Sequence, residues 1–100
     1  MVAPMAFCTL LQWDGDFPLE RYREMNERAE GHGTTLPEGC LARIVGPVDT
    51  GAAIVEVWRS GDDARRFSEH SAALLGEFAM PAPTRVAAFE TTIFQARESA

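Results

Sequence analysis

A chain of 100 residues with a formal net charge of −6 is too short for two cores and too acidic for several kinds of partner. An acidic chain lacks the basic stripe that nucleic-acid binding requires, and it is equally unsuited to an anionic membrane surface. No apolar run approaches the ~20 residues of a membrane span, and the N-terminus lacks the basic residues of a secretory signal. We therefore expect a cytoplasmic protein that binds neither nucleic acid nor membrane. Residues 6–95 are predicted to form one domain between a flexible N-terminus (1–5) and a flexible tail (96–100).

The first two predicted elements are a strand and a helix. Residues 6–13, AFCTLLQW, are mostly apolar and are ended by DGD, as expected of a strand. Pro18 suits the first position of a helix, which then runs to Gly31. Its inward face, at three- and four-residue spacing, is predicted to carry Leu19, Tyr22, Asn26 and Ala29, with Met25 beside them.

Two strands follow a Gly-rich loop, and a last strand lies near the C-terminus. Residues 40–45 (CLARIV) and 52–58 (AAIVEVW) are joined by GPVDTG, a turn-rich connection typical of a hairpin. Residues 86–94, VAAFETTIF, are predicted to be the last strand.

A second helix separates the hairpin from the last strand. Ser60 is a suitable N-cap, the helix is expected to weaken near Gly76, and Pro81 ends it. Its inward side is predicted to carry Ala64, Phe67, His70, Ser71, Leu74 and Leu75.

The resulting order, β-α-β-β-α-β, favours a ferredoxin-like α+β fold, an antiparallel sheet with both helices on one face. The first and third strands are then central, and Cys8 and Cys40 lie on strands separated by another strand. Two strand spacings, about 9–10 Å, exceed the ~7 Å that a disulfide can span between α-carbons. Both cysteines are expected to remain reduced.

The face of the sheet without helices should alternate with polar residues if it met water, but the strands are apolar on both sides. In the third predicted strand, for example, Val55 and Val57 oppose Ile54 and Trp58. An uncovered apolar face of several hundred square ångströms is unusual in a monomer. We therefore predict a homodimer that packs through the helix-free sheet face.

Glu56-Val57-Trp58-Arg59-Ser60, followed by Phe67 and His70, resembles the E-x-W-x-S…(A/F)-x-x-H signature of antibiotic-biosynthesis-monooxygenase-like proteins of the dimeric α/β-barrel superfamily. The resemblance covers about residues 6–95. It implies a dimeric α/β barrel, a superfamily that includes oxygenases, cyclases and proteins with no known reaction. Family members with oxygenase activity need no metal or flavin. Such enzymes bind a phenolic substrate between sheet and helices, deprotonate it, and let the electron-rich anion react with oxygen.

His70 is the candidate base, since an unperturbed imidazole exchanges protons near neutral pH. The alternative is a core histidine satisfied by a carbonyl or by Glu56. Tyr22 and Asn26, one helical turn apart, could donate to a substrate oxygen. Alternatively, Asn26 braces a backbone group and Tyr22 reaches the rim.

Glu56 and Trp58 share one face of the third strand, so Glu56 could orient His70 while Trp58 walls a cavity. An Arg43–Glu56 ion pair is the structural alternative, because an unpaired buried carboxylate is too costly. The predicted substrate-binding residues are Trp58, Glu56, Arg43, Phe67, Leu74 and Met25.

His32 and Trp13 are not predicted to take part in a functional site. His32 is expected to be an exposed loop residue, and Trp13 a core or lid-edge residue. No Gly-rich phosphate loop, nucleophile elbow or metal-spaced His pair is present in the sequence, so no cofactor and no metal are expected.

Together with this resemblance, the sequence favours a small cofactor-independent enzyme that acts on a hydrophobic aromatic or polyketide-like molecule, by monooxygenation or by proton transfer such as cyclisation. His70 would be the base, with Tyr22 and Asn26 orienting the substrate. The alternative is a non-catalytic dimeric binding or accessory module in which His70 is structural.

Overall fold

A computed structural model of the chain describes residues 6–30 and 36–92. The predictions for residues 1–5, for His32 and for residues 93–100 lie outside the described residues, as does the side chain of Ala29. The elements are β1 (Phe7–Asp14), α1 (Leu19–Glu30), β2 (Cys40–Val48), β3 (Gly51–Trp58), α2 (Gly61–Glu77) and β4 (Arg85–Glu90). The predicted β-α-β-β-α-β order is confirmed. Among the described residues no helix is long and apolar enough to span a membrane.

The strands form one sheet in the order β2-β3-β1-β4, with each neighbouring pair antiparallel. The first and third strands are central, as predicted. Cys8 on β1 and Cys40 on β2 are separated by β3, as predicted. The predicted ferredoxin-like fold is therefore the observed one.

The β2–β3 hairpin is tighter than predicted. Its strands extend to Val48 and Gly51, so the connection is the two-residue turn Asp49-Thr50 rather than the whole of GPVDTG. Pro47 is tolerated within β2 because that strand lies at the sheet edge. At Gly51 a side chain is excluded, since an added Cβ would lie 2.0 Å from the Trp13 carbonyl oxygen.

Helix α2 begins as predicted and ends differently. Ser60 is its N-cap, and the Ser60 hydroxyl oxygen accepts a hydrogen bond from the Asp63 N–H at 3.2 Å. The helix continues through Gly76, where weakening was expected, and ends at Glu77. Its last turn is closed by the Phe78 N–H, which donates to the Leu74 carbonyl at 2.9 Å.

Asp63, in the first turn of α2, is only 4% exposed and is surrounded by donors. The Arg59 Nε and the Ser60 hydroxyl each donate to its Oδ2 at 3.0 Å, and Arg66 donates to its other oxygen. These bonds, above all those from Arg59 and Arg66, lower the pKa of Asp63 from 3.8 to about 2, against the opposing effect of desolvation.

A lowered folded-state pKa means that the Asp63 carboxylate stabilises the fold above pH 3.8 and loses that contribution as pH falls towards about 2. We expect Asp63→Asn to melt at a lower temperature than wild type at pH 6, with the difference shrinking between pH 4 and pH 2. Melting followed by circular dichroism tests this. Asp62→Asn is the matched control, because the neighbouring Asp62 side chain is 78% exposed and should change the melting temperature little.

The core lies between the helices and one face of the sheet. Trp13, Tyr22, Met25 and Ile54 form its buried cluster. The Trp13 indole N–H also donates to the Pro81 carbonyl at 2.9 Å, which ties the segment after α2 to β1. Leu19 was predicted to share the inward face of α1, but it is 40% exposed because it lies at the helix start, beyond the core.

The other face of the sheet is largely apolar, and no helix of the described residues lies over it. Strand pairing places Ile44, Val55 and Leu10 in one row across it, and Val57, Cys8 and Phe89 in the next. The central-strand residues are half-buried, whereas Ile44 is 66% and Phe89 52% exposed. The apolar patterning of both faces is therefore present in the structure.

Candidate functional site

A cavity of about 580 Å³ lies between the helix-covered face of the sheet and the two helices. We call it the main cavity. Its lining residues come from all six elements and from the segment that leads into β4. The apolar part of the lining includes Leu11, Trp13, Met25, Ile54, Trp58, Phe67, Leu75, Met80 and Val86.

Aromatic rings form part of this wall. Trp58 is the most buried large side chain of the described residues, at 1% exposure, and its ring centroid lies 5.4 Å from that of Phe67. Phe67 also makes a cation–π contact with Arg43, whose guanidinium carbon lies 5.6 Å from the Phe67 ring centroid. Both rings thus present flat apolar surfaces beside a cation.

The polar residues of the sheet converge because of strand register. Arg43 on β2 is paired with Glu56 on β3, which is paired with Thr9 on β1, so the three side chains form one row beneath the helices. Arg43 Nε donates to Glu56 Oε2 at 2.9 Å, and Thr9 Oγ1 donates to Glu56 Oε1 at 3.3 Å. The Trp58 indole N–H donates to Thr9 Oγ1 at 3.3 Å. We call Thr9, Arg43, Glu56 and Trp58 the polar floor.

The Arg43–Glu56 ion pair is the structural alternative that the sequence left open, and it is present. The two side chains are 8% and 10% exposed, so neither charge is buried without a counter-ion. Among the described residues, every buried side-chain nitrogen and oxygen has a hydrogen-bond partner. The floor is therefore a fixed, internally neutralised set of polar groups facing an apolar space.

The helices contribute further polar groups. Tyr22, 8% exposed, and the half-buried Asn26 line the cavity from α1, next to the buried Met25, as the helical spacing predicted. Ser68 and the buried Ser71 line it from α2, where Ser71 donates to the Ser68 carbonyl at 3.4 Å.

His70 does not join this group. Its side chain is exposed and lines a second, smaller depression of about 300 Å³ on the outer side of Phe67. His70 follows the periodic pattern but lies about 100° around the helix from the buried Ser71, at the edge of the inward face. The expectation that His70 converges with Tyr22 and Asn26 is therefore wrong in its geometry.

The alternative of a core histidine is equally at odds with the exposed side chain of His70. The partners of Glu56 are Arg43 and Thr9, so the structure gives Glu56 a role other than orienting His70. The second depression also brings in Glu38 and Asp63, but Asp63 already binds its neighbouring arginines.

Leu74 also differs from its prediction as a substrate-binding residue. It is half-buried and packs against the core cluster, whereas the next residue, Leu75, lines the main cavity. Sequence reasoning did not single out Thr9, Ser68 or Met80 as site residues. A polar threonine within an apolar strand was the sequence feature that could have identified Thr9. The sequence does not show on which face of the sheet that threonine lies, because the face depends on strand register.

Within residues 6–30 and 36–92, no three His, Cys, Asp or Glu side chains come close enough together to hold an ion.

No protein-family model and no curated protein matches this sequence. Solved structures do match it. A candidate antibiotic biosynthesis monooxygenase from Chloroflexus aurantiacus J-10-fl is 18% identical, with a TM-score of 0.50 over 95% of this chain and 97% of that one. A structural-genomics protein called YJCS is 14% identical, with a TM-score of 0.55 over 90% and 99% of the two chains.

A Bacteroides thetaiotaomicron VPI-5482 protein of unknown function, a possible oxidoreductase, is 16% identical, with a TM-score of 0.54 over 89% of this chain and 99% of that one. Identities this low show a shared fold. At the level of fold, the resemblance seen in the sequence is confirmed.

Proposed function

We propose that this chain, which has the fold of the antibiotic biosynthesis monooxygenases, is an enzyme that oxygenates a hydrophobic aromatic or polyketide-like metabolite without a metal or flavin. The observation that carries the proposal is an apolar cavity with a buried polar floor. Its volume of about 580 Å³ lies within the usual range for small-molecule sites. Apolar walls with a few fixed polar groups are also typical of such sites.

The lining supports a flat, largely apolar ligand. Trp58 and Phe67 offer ring faces on which an aromatic system can stack. Tyr22 and Asn26, across the cavity on α1, are proposed to orient the ligand through hydrogen bonds to its oxygens. The same arrangement would serve a proton-transfer reaction such as cyclisation, in which oxygen takes no part.

The oxygenation requires only the substrate and molecular oxygen. An anthrone-type substrate in its enol form loses the hydroxyl proton, and the electron-rich anion attacks oxygen through the ring carbon opposite. One oxygen atom becomes the new carbonyl oxygen of a quinone. The other leaves as water with the two hydrogens that the substrate methylene has lost. The protein must exclude bulk water, hold the anion and move the proton.

Oxygen uptake with 1,8-dihydroxyanthrone tests the proposal, with the spontaneous rate in buffer subtracted. We expect wild-type protein to accelerate uptake and quinone formation. Ala64→Trp, which fills the cavity from α2, should lower the rate about tenfold or more, because the substrate is displaced from the polar floor. Ala72→Trp is the matched control, since Ala72 is exposed on the same helix and is not among the cavity-lining residues.

Two other outcomes would distinguish the proposed enzyme from its alternatives. Saturable binding of the anthrone without any oxygen uptake would favour the non-catalytic binding or accessory module. Equal rates for Ala64→Trp and Ala72→Trp would place the reaction outside the main cavity and overturn the proposal.

We further propose that the helix-free sheet face packs against a second copy of the chain. Four strands about 4.8 Å apart and about eight residues long give roughly 500 Å² of face per protomer. Two such faces approach the ~1,000 Å² that a specific interface needs. The face carries no charge in its two central rows, which suits an identical apolar face better than water.

A further inference from the structure

We infer that Glu56 is the proton acceptor of the reaction and that Arg43 is the counter-ion, first of Glu56 and then of the substrate anion. This inference rests on the proposed function and assigns the roles within its site. It replaces His70 by a carboxylate of the polar floor, with Thr9 as the positioning residue that holds Glu56 and Trp58 together.

Few titratable groups face the main cavity, and they limit the choice of proton acceptor. Among its described lining residues these are Tyr22 from α1, Arg43 from β2 and Glu56 from β3, with none from β1, α2 or β4. A tyrosine hydroxyl and a guanidinium carry their protons at neutral pH, so neither can accept one. Glu56 is the remaining group, whereas His70 lies on the other side of Phe67.

The Glu56 carboxylate can accept more hydrogen bonds than it receives from Thr9 and Arg43. Its two oxygens offer about four acceptor positions. Thr9 donates to one oxygen and Arg43 to the other, which fixes the plane of the carboxylate without filling those positions. Glu56 lines the cavity, so a ligand hydroxyl can donate to it there. The side chain is held on both sides before the substrate arrives.

Proton transfer from the substrate to Glu56 leaves the net charge of the site unchanged. The substrate O–H bond breaks, an O–H bond forms on Glu56, and the negative charge moves from Glu56 to the substrate oxygen. Arg43 is a counter-ion to the charge before and after the transfer, so the floor and ligand together keep the same net charge. No unpaired charge appears in the apolar cavity, where it would be costly. The proton on Glu56 is later released to the oxygen atom that leaves as water.

The same balance defines the ligand class. A neutral phenol or enol brings a proton that Glu56 can accept, whereas a ligand that is already a carboxylate or sulfonate would place a second negative charge beside Glu56. We therefore assign the main cavity to neutral, hydroxyl-bearing aromatic ligands. The related sulfonate, anthraquinone-2-sulfonate, should not compete with 1,8-dihydroxyanthrone at concentrations where neutral 1,8-dihydroxyanthraquinone does.

The test compares Glu56→Gln with His70→Gln in the oxygen-uptake assay at pH 7. We expect Glu56→Gln to lower kcat by about a hundredfold or more with little change in KM, because the amide keeps the shape and loses the proton acceptor. His70→Gln should keep the wild-type kcat and KM, because His70 lies outside the main cavity. Near-UV circular dichroism confirms that each variant is folded.

A single change could unfold the protein by removing the Glu56 carboxylate, a counter-ion of the buried Arg43. The double variant Arg43→Gln/Glu56→Gln removes both charges and should fold and bind the anthrone without turning it over. A wild-type kcat in Glu56→Gln or in the double variant would overturn the inference, as would loss of activity in His70→Gln alone. No oxygen uptake by the wild-type protein would overturn the proposed function itself, and this inference with it.

Discussion

Trp58→Ala is expected to lower the free energy of unfolding by about 4 kcal/mol, because it removes the most buried large side chain of the described structure. The substitution deletes the ring that packs on Phe67 at 5.4 Å and the indole N–H that donates to Thr9. It also extends the main cavity into the sheet, where the neighbouring strands are too constrained to collapse.

Urea unfolding followed by far-UV circular dichroism measures the effect, at one fixed protein concentration because a dimer would unfold in a concentration-dependent way. Trp58→Phe is the matched control. It keeps most of the ring, loses the N–H donor and should cost about 1–2 kcal/mol. A loss below about 1 kcal/mol for Trp58→Ala would show that the indole does not support the core in the way that its burial indicates.

Ile44→Lys is expected to convert a dimer into a monomer, with a dissociation constant raised about a thousandfold or more. Ile44 is 66% exposed on the helix-free face, so the lysine harms neither the core nor the fold of one chain. In a twofold dimer the change would bury two ammonium groups in an apolar interface.

Light scattering over a dilution series gives the mass, which for wild type should be twice the 11.0 kDa of the chain. Leu19→Lys is the control, because Leu19 is an exposed leucine at the start of α1, away from the sheet face. A wild-type protein that stays monomeric at high concentration, or an Ile44→Lys variant that stays dimeric, would contradict the proposed interface.

Local rules predicted most of the fold. The N-cap at Ser60, the inward Tyr22 and Met25 of α1, and the apolar patterning of both sheet faces depend on spacing within one element. Such spacing can be read directly from the amino-acid sequence. The strand order then follows from short connections and the handedness of crossovers, which leave few arrangements for β-α-β-β-α-β.

The site was less predictable because it depends on relations between elements. Thr9, Arg43 and Glu56 meet only through the register of β1, β2 and β3, and a shift of one residue would turn each to the other face. Periodicity grouped His70 with Phe67 and Ser71, but the centre of the inward face is set by what α2 packs against. A residue at the edge of that face can therefore lie outside the cavity.

The main cavity, with its polar floor, is proposed to be the substrate site. The most direct test is a proton–nitrogen correlation spectrum recorded while 1,8-dihydroxyanthrone is added in the absence of oxygen. The chain has two tryptophans, and both indoles line the cavity. If the substrate binds in the main cavity, we expect saturable shifts of the Trp13 and Trp58 indole signals and of the Thr9 amide. Shifts confined to His70 and Glu38, with both indole signals unmoved, would place the ligand in the outer depression and contradict the account.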